Sequence, residues 1–172
     1  MARALQLAGR GLYTTDPNPR VGCVVVKDNL IISEGWHQWA GEGHAEVEAL
    51  RGLTPEQTKD ATVYVTLEPC CHTGKTPPCA ERLIAAGVSR VVSAMEDPNP
   101  QVSGQGHGKL RQAGIAIVTG VLEQEARALN PGFIKRMERG MPYVRCKLAM
   151  SLDGRTSISS CLCHWFTCAS PL

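Results

Sequence analysis

Three short fragments bring together residues able to do chemistry: His44-Ala45-Glu46, Glu68-Pro69-Cys70 and Pro77-Pro78-Cys79. One imidazole and two thiolates suit zinc, and three protein donors leave the fourth tetrahedral position for water. That is the open arrangement of a catalytic zinc, not the closed four-donor arrangement of a structural one. Zinc lowers the pKa of its water to roughly 7, which makes hydroxide available at neutral pH. Glu46, two residues beyond His44, can reach that water without binding the metal. It would take the proton and hand it to a ring nitrogen and a leaving amine. Cys71 offers a second thiol beside Cys70 that could compete for the metal.

The elements that position these fragments follow from periodicity and breakers. Residues 1–12 are helix-like and end in glycines, and a turn-rich loop follows through Thr14-Thr15-Asp16-Pro17-Asn18-Pro19. Val21 to Lys27 reads as a β-branched strand, with Leu30 to Glu34 as its hairpin partner across Asp28-Asn29. A helix is expected from His44 to Arg51, a strand from Thr62 to Leu67, and a helix from Ala80 to Ala86 capped by Gly87. Ser89 to Met95 and Ile115 to Val118 read as strands, with a short helix over Lys109 to Ala113 between them. Leu122 to Arg139 is helical with a break at Asn130-Pro131-Gly132. Strands alternating with helices predict an α/β domain, three layers deep. The first two strands pair antiparallel, and those joined by helices run parallel in a mixed sheet of about five strands. The ligand-bearing fragments each lie where a strand or loop enters a helix, the usual end for sites in α/β sheets.

The chain has 172 residues, 43% of them apolar, enough for one core with a short appendage. A net charge of +2 gives no broad basic field, so a nucleic-acid partner is not expected. No apolar run is long enough to span a membrane, and the start lacks the apolar region and cleavage site of a secretory signal. A cytoplasmic, reducing setting is therefore expected, in which clustered cysteines favour metal over disulfides. Of the eight cysteines, Cys23 and Cys146 sit in apolar strand-like runs and read as core. Cys161, Cys163 and Cys168 crowd an irregular tail with His164 and match no familiar ligand spacing. Glu48 and Glu68 read as surface or capping residues, and His107 as a surface residue.

H-x-E with P-C and a later Cys is the pattern of zinc-dependent nucleoside and base deaminases. The cysteines there are commonly two residues apart, whereas eight residues, Cys71 to Pro78, separate Cys70 from Cys79. The string TLEPCCHTGKTPPCAERLIAAGVSRVV resembles the deaminase domain of the bifunctional riboflavin-biosynthesis deaminase/reductases, as do PNPRVGCVVV, GHAEVEAL and EDPNPQVSGQG. The resemblance covers nearly all of residues 1–141 and implies a cytidine-deaminase-like fold with one zinc per chain. It implies His44, Cys70 and Cys79 as ligands and Glu46 as proton shuttle. Asn18, His37, His72, Lys75, Asp97 and Asn99 are implied as substrate contacts, with Lys75 a sensible partner for a phosphate. Cys71 departs from the family's serine at that position. The implied substrate is a diaminopyrimidinone carrying a ribosylamine 5′-phosphate, derived from opened GTP in riboflavin biosynthesis. Hydrolysis replaces its 2-amino group by oxygen and releases ammonia. A homo-oligomer is also implied.

Within residues 142–172, Pro142 to Thr156 resembles the opening of the family's reductase domain, with a strand near residues 143–151, and Ser157 to Leu172 diverges. They are too few to bury a core and hold a dinucleotide, so neither NADPH binding nor reductase activity is expected. Two other readings stand beside this one. The first is a zinc deaminase acting on cytosine, a nucleoside or tRNA adenosine. The second is a non-catalytic zinc module with a fourth protein ligand such as Cys71 and no use for Glu46.

Overall fold

The computed structural model describes residues 1–71, 78–100 and 102–154. Met1–Pro142 forms one unit and Tyr143–Leu172 a second. In the first, the chain runs α1 (Ala2–Gly9), β1 (Gly22–Lys27), β2 (Leu30–Trp36), α2 (Ala45–Leu50), α3 (Pro55–Thr58) and β3 (Thr62–Val65). It continues α4 (Cys79–Ala85), β4 (Arg90–Ser93), α5 (Gln105–Gln112), β5 (Ala116–Val118), α6 (Glu123–Leu129) and α7 (Pro131–Arg139). The five strands lie in the order β2-β1-β3-β4-β5. β1 is antiparallel to both β2 and β3, while β3, β4 and β5 are parallel.

Period-two alternation divides the apolar residues between two faces. Cys23 and Val25, Val63 and Val65, and Val91 pack with Ala45, Ala49, Leu83 and Leu110 of α2, α4 and α5. On the other face, Val24 meets Ala4 and Leu7 of α1, and Tyr64 packs against them. Leu67, Ala94 and Met95, beyond the strand ends, meet Ala126 and Ile134 of α6 and α7. The result is the three-layer α/β/α fold with a mixed sheet. At the β1–β2 hairpin, Asp28 and Asn29 both take positive φ, 52° and 61°, as a two-residue turn between twisted strands requires.

α2 lies directly on the sheet because residue 35 is glycine. A Cβ there would stand 2.3 Å from the Ala49 amide nitrogen and 2.6 Å from the Ala45 carbonyl oxygen. This close approach fixes the helix that begins beside His44 and carries Glu46.

Several expectations need correction. α3 was not expected, yet Thr54 caps it and exchanges hydrogen bonds with Gln57 in a capping box, with Pro55 in the first turn. α5 begins at Gln105, four positions before the expected Lys109, because its glycine-rich first turn is held by packing rather than by propensity. His107 is not a surface residue but fully buried, at 0% exposure. Glu68 is also buried, and Cys146 is exposed rather than core. The described residues 143–154 of the second unit contain no strand, since an extended segment needs a partner for its backbone groups. The tail cysteines, His72 and Lys75 lie outside the described residues.

Candidate active site

The site lies where β3 and β4 end and α2 and α4 begin. His44 is the extended residue before α2 and Glu46 its second helical residue. Cys70 follows β3 after Glu68-Pro69, and Cys79 opens α4. His44 Nδ1 lies 3.3 Å from Cys79 Sγ and 3.6 Å from Cys70 Sγ. All three donor atoms fall within 4.8 Å of one another. Zinc at its usual bond lengths and tetrahedral angles places nitrogen and sulfur about 3.6 Å apart, so the set fits that ion. Cys71 does not join it, and its Sγ is instead 3.7 Å from Gln105 Oε1.

Local bonds hold the donors in place. The Cys79 backbone N–H donates to Cys70 Sγ at 3.3 Å, and the Ala80 N–H donates to the Cys70 carbonyl at 3.0 Å. The Cys70 thiol is held well below its ordinary range, chiefly by a hydrogen bond from Cys79, and that same bond raises Cys79. His44 is raised, mainly by its hydrogen bond to Cys70. Its ring meets His37 edge-on, with centroids 5.7 Å apart. Glu46 is buried, and loss of hydration pushes its carboxyl up to about 7.

His44, Glu46 and Cys70 border a cavity of about 300 Å³, and Cys79 lies behind its lining. Asn18, His37, Asp97 and Asn99, all expected as substrate contacts, line it together with His44, Glu46 and Cys70. His37 Nδ1 lies 3.0 Å from the Gly43 carbonyl, which can only accept, so that nitrogen carries the proton. Its Nε2 lies 3.2 Å from the Asn18 amide nitrogen, so His37 is a buried bridge between two loops. Asp97 Oδ1 accepts from the Asn99 backbone N–H at 2.8 Å, a local turn.

The sequence reading missed Glu68, Phe133 and Arg136, which also line the cavity. Phe133 and Arg136 come from α7, which the sequence shows as a helix, but nothing in the sequence placed it over the site. Arg136 Nη2 donates to the Pro17 carbonyl at 3.4 Å, leaning across the loop that carries Asn18.

A family model of the cytidine and deoxycytidylate deaminase zinc-binding region matches residues 1–95. Diaminohydroxyphosphoribosylamino-pyrimidine deaminase of Buchnera aphidicola subsp. Acyrthosiphon pisum is 51% identical over 142 residues, 83% of this chain and 96% of that protein. The chain belongs to the zinc-binding cytidine and deoxycytidylate deaminase family, on its riboflavin-biosynthesis branch. Within that family, riboflavin biosynthesis protein RibD of Escherichia coli (strain K12) is 60% identical over 167 residues, 97% of this chain and 45% of that protein. The family fold is equally plain in Acinetobacter baumannii RibD, form 1. It superposes with a TM-score of 0.91 at 55% identity, covering 96% of this chain and 46% of that one. This chain thus spans less than half the length of the RibD relatives it matches.

Proposed function

We propose that this chain hydrolyses the 2-amino group of a diaminopyrimidinone ribosylamine 5′-phosphate, the deaminase step of riboflavin biosynthesis. The observation that carries the reading is the convergence of His44, Cys70 and Cys79 donor atoms within 4.8 Å of one another, with His44 and Cys70 bordering the same cavity as the buried Glu46. His44, Cys70 and Cys79 would hold the zinc. Zinc bound there supplies a Lewis acid that brings the pKa of water to about 7. Glu46 takes one proton from the attacking water and passes it to the ring nitrogen, then moves the second, from the new hydroxyl, to the amine. A carbon–oxygen bond forms, the carbon–nitrogen bond breaks, and the amine leaves as ammonia.

Asn18, His37, Asp97 and Asn99 take the base, and the family pattern adds His72 and Lys75 as substrate-binding residues. The substrate phosphate requires cations, which Lys75 and Arg136 supply. We assign the deaminase domain to residues 1–141 and the start of a reductase domain to residues 142–172. The likeness to relatives that carry the deaminase name over 96% of their length supports the substrate class.

The test is zinc content and ammonia release on one purified sample, offered the pyrimidinone phosphate, cytidine and adenosine-bearing RNA. One zinc per chain with turnover of the pyrimidinone alone is the expected result. Glu46→Gln should keep the zinc and the fold while turnover falls about 10²–10⁴-fold. An unchanged rate in that variant refutes the role of Glu46, and zinc without turnover on any amine refutes the deaminase reading.

A further inference from the structure

Glu68 stands two residues before a metal-ligand position, and its side chain is 0% exposed. A buried carboxyl needs partners for its oxygens, and the partners here are backbone amides. Oε2 accepts from the N–H of Asp97 at 3.0 Å and of Gly104 at 2.9 Å, and Oε1 accepts from the N–H of His107 at 3.1 Å. One side chain leaving β3 thus gathers the segment leaving β4 and the first turn of α5. The fit is tight: a Cβ on Gly106 would stand 2.0 Å from the Pro69 carbonyl oxygen and 3.2 Å from Glu68 Cγ.

We infer that Glu68 is a positioning residue for the deamination proposed above: it anchors the Asp97 and Gly104 amides so that Asp97 and Asn99 face the Cys70 side of the cavity. The geometry gives the link in two steps. Glu68 fixes the Asp97 amide, and Asp97 Oδ1 in turn accepts from the Asn99 N–H. Asp97, Asn99, Glu68 and Cys70 border one cavity, so a single carboxyl sets the separation between its substrate wall and its metal wall. A surface or capping glutamate would need neither three buried donors nor a glycine across from it.

The test uses the whole zinc-loaded chain and reads amide hydrogen exchange together with kinetics. In Glu68→Ala, the Asp97, Gly104 and His107 amides should exchange at least about 10-fold faster, since each loses the Glu68 oxygen to which it donates. KM for the pyrimidinone phosphate should rise by about 10-fold or more while zinc stays at one per chain. Because Glu68 acts through the loop, Glu68→Ala combined with Asn99→Ala should raise KM no more than about twofold beyond Asn99→Ala alone. Glu68→Gln keeps one acceptor oxygen, which best serves Asp97 and Gly104 together. It should therefore release the His107 amide selectively and raise KM less than Glu68→Ala does. Should Glu68→Ala fail to fold, that selective pattern in Glu68→Gln decides the matter. Unchanged exchange at all three amides overturns the inference, as do additive KM losses or activity that falls only in step with zinc. Wild-type protein that holds zinc and releases no ammonia refutes the deaminase reading instead, and the exchange pattern still decides the anchor.

Discussion

Two glycines of α5, two positions apart, should respond oppositely to the same substitution. A Cβ at Gly106 would sit 2.0 Å from the Pro69 carbonyl oxygen, whereas one at Gly108 meets nothing within 4 Å. Ordinary contact begins near about 3.5 Å, so Gly106→Ala forces a separation of about 1.5 Å between α5 and the Glu68-Pro69-Cys70 segment. The obstacle is backbone, with no rotamer by which to step aside. Overpacking of this kind costs about 1–3 kcal/mol, and the helix preference of Ala over Gly offsets at most about 1 kcal/mol of it. The net loss should lower Tm by roughly 2–8 °C in a chain of this size. A shift of about 1 Å at Cys70 should also lower kcat/KM by about 10²-fold. Gly108→Ala gains the same preference with no clash and should raise Tm by roughly 1–4 °C with activity kept. Thermal melts and ammonia release on the two variants decide it. If Gly106→Ala melts and turns over like Gly108→Ala, then α5 does not rest on the Pro69 carbonyl, and the account of Glu68 loses its steric support.

Two further expectations rest on buried polar groups. Asn130 is 8% exposed; its Oδ1 accepts from the Arg20 N–H at 2.8 Å and its Nδ2 donates to the Arg20 carbonyl at 2.9 Å. Asn130→Ala strands both groups and should cost about 1–3 kcal/mol, read as a fall in Tm. Asn130→Asp should do no better, since an oxygen would then face the Arg20 carbonyl, and a variant as stable as wild type sinks the clamp. His107 lies with Nε2 2.8 Å from Ser93 Oγ and Nδ1 3.9 Å from carboxyl oxygens of both Glu68 and Glu96. Burial, aided by Arg111, lowers its pKa despite those two carboxyls. The unfolded chain therefore binds the proton more readily below about pH 6.5, and stability falls as pH drops from there through the lowered folded value. The Tm advantage of wild type over His107→Gln should shrink between about pH 7 and about pH 5. A constant or growing advantage would mean that Glu68 and Glu96 outweigh burial.

What was legible in the sequence follows what is local. The β1–β2 hairpin could be read from Asp28-Asn29 between β-branched runs, and the break between α6 and α7 from Asn130-Pro131-Gly132. The gathering of His44, Cys70 and Cys79 could be expected because metal chemistry demands a donor set, whatever the intervening chain does. α3 was missed although Thr54-Pro55-Glu56-Gln57 carries its capping box openly. Glu68 and His107 were misplaced for a deeper reason. Burial of a polar side chain depends on which polar groups arrive from elsewhere, here the Asp97 and Gly104 amides and the Ser93 hydroxyl, and no spacing near residue 68 or 107 records that. Cys146 failed in the converse way, since an apolar run is buried only if something covers it.

Strand direction explains why residues so far apart in sequence meet. β3 and β4 are parallel, so the segments leaving them, with Cys70 and Asp97, emerge at one end of the sheet. β1 is antiparallel to β3, so the segment entering it, with Asn18 and Arg20, lies at that same end. β2 is antiparallel to β1, which returns its exit, His37, beside them. The Asn18–His37 and Arg20–Asn130 bonds then tie these segments to each other and to the α6–α7 junction. If β1 ran parallel to β3, Asn18 would open at the opposite end, some four residues of strand away, at about 3.3 Å per residue. The chemistry-bearing types are thus concentrated by one topological choice, a single strand, β1, running against the other four. Asp28 and Asn29, at the other end of β1, make the turn by which β2 returns His37 to the site.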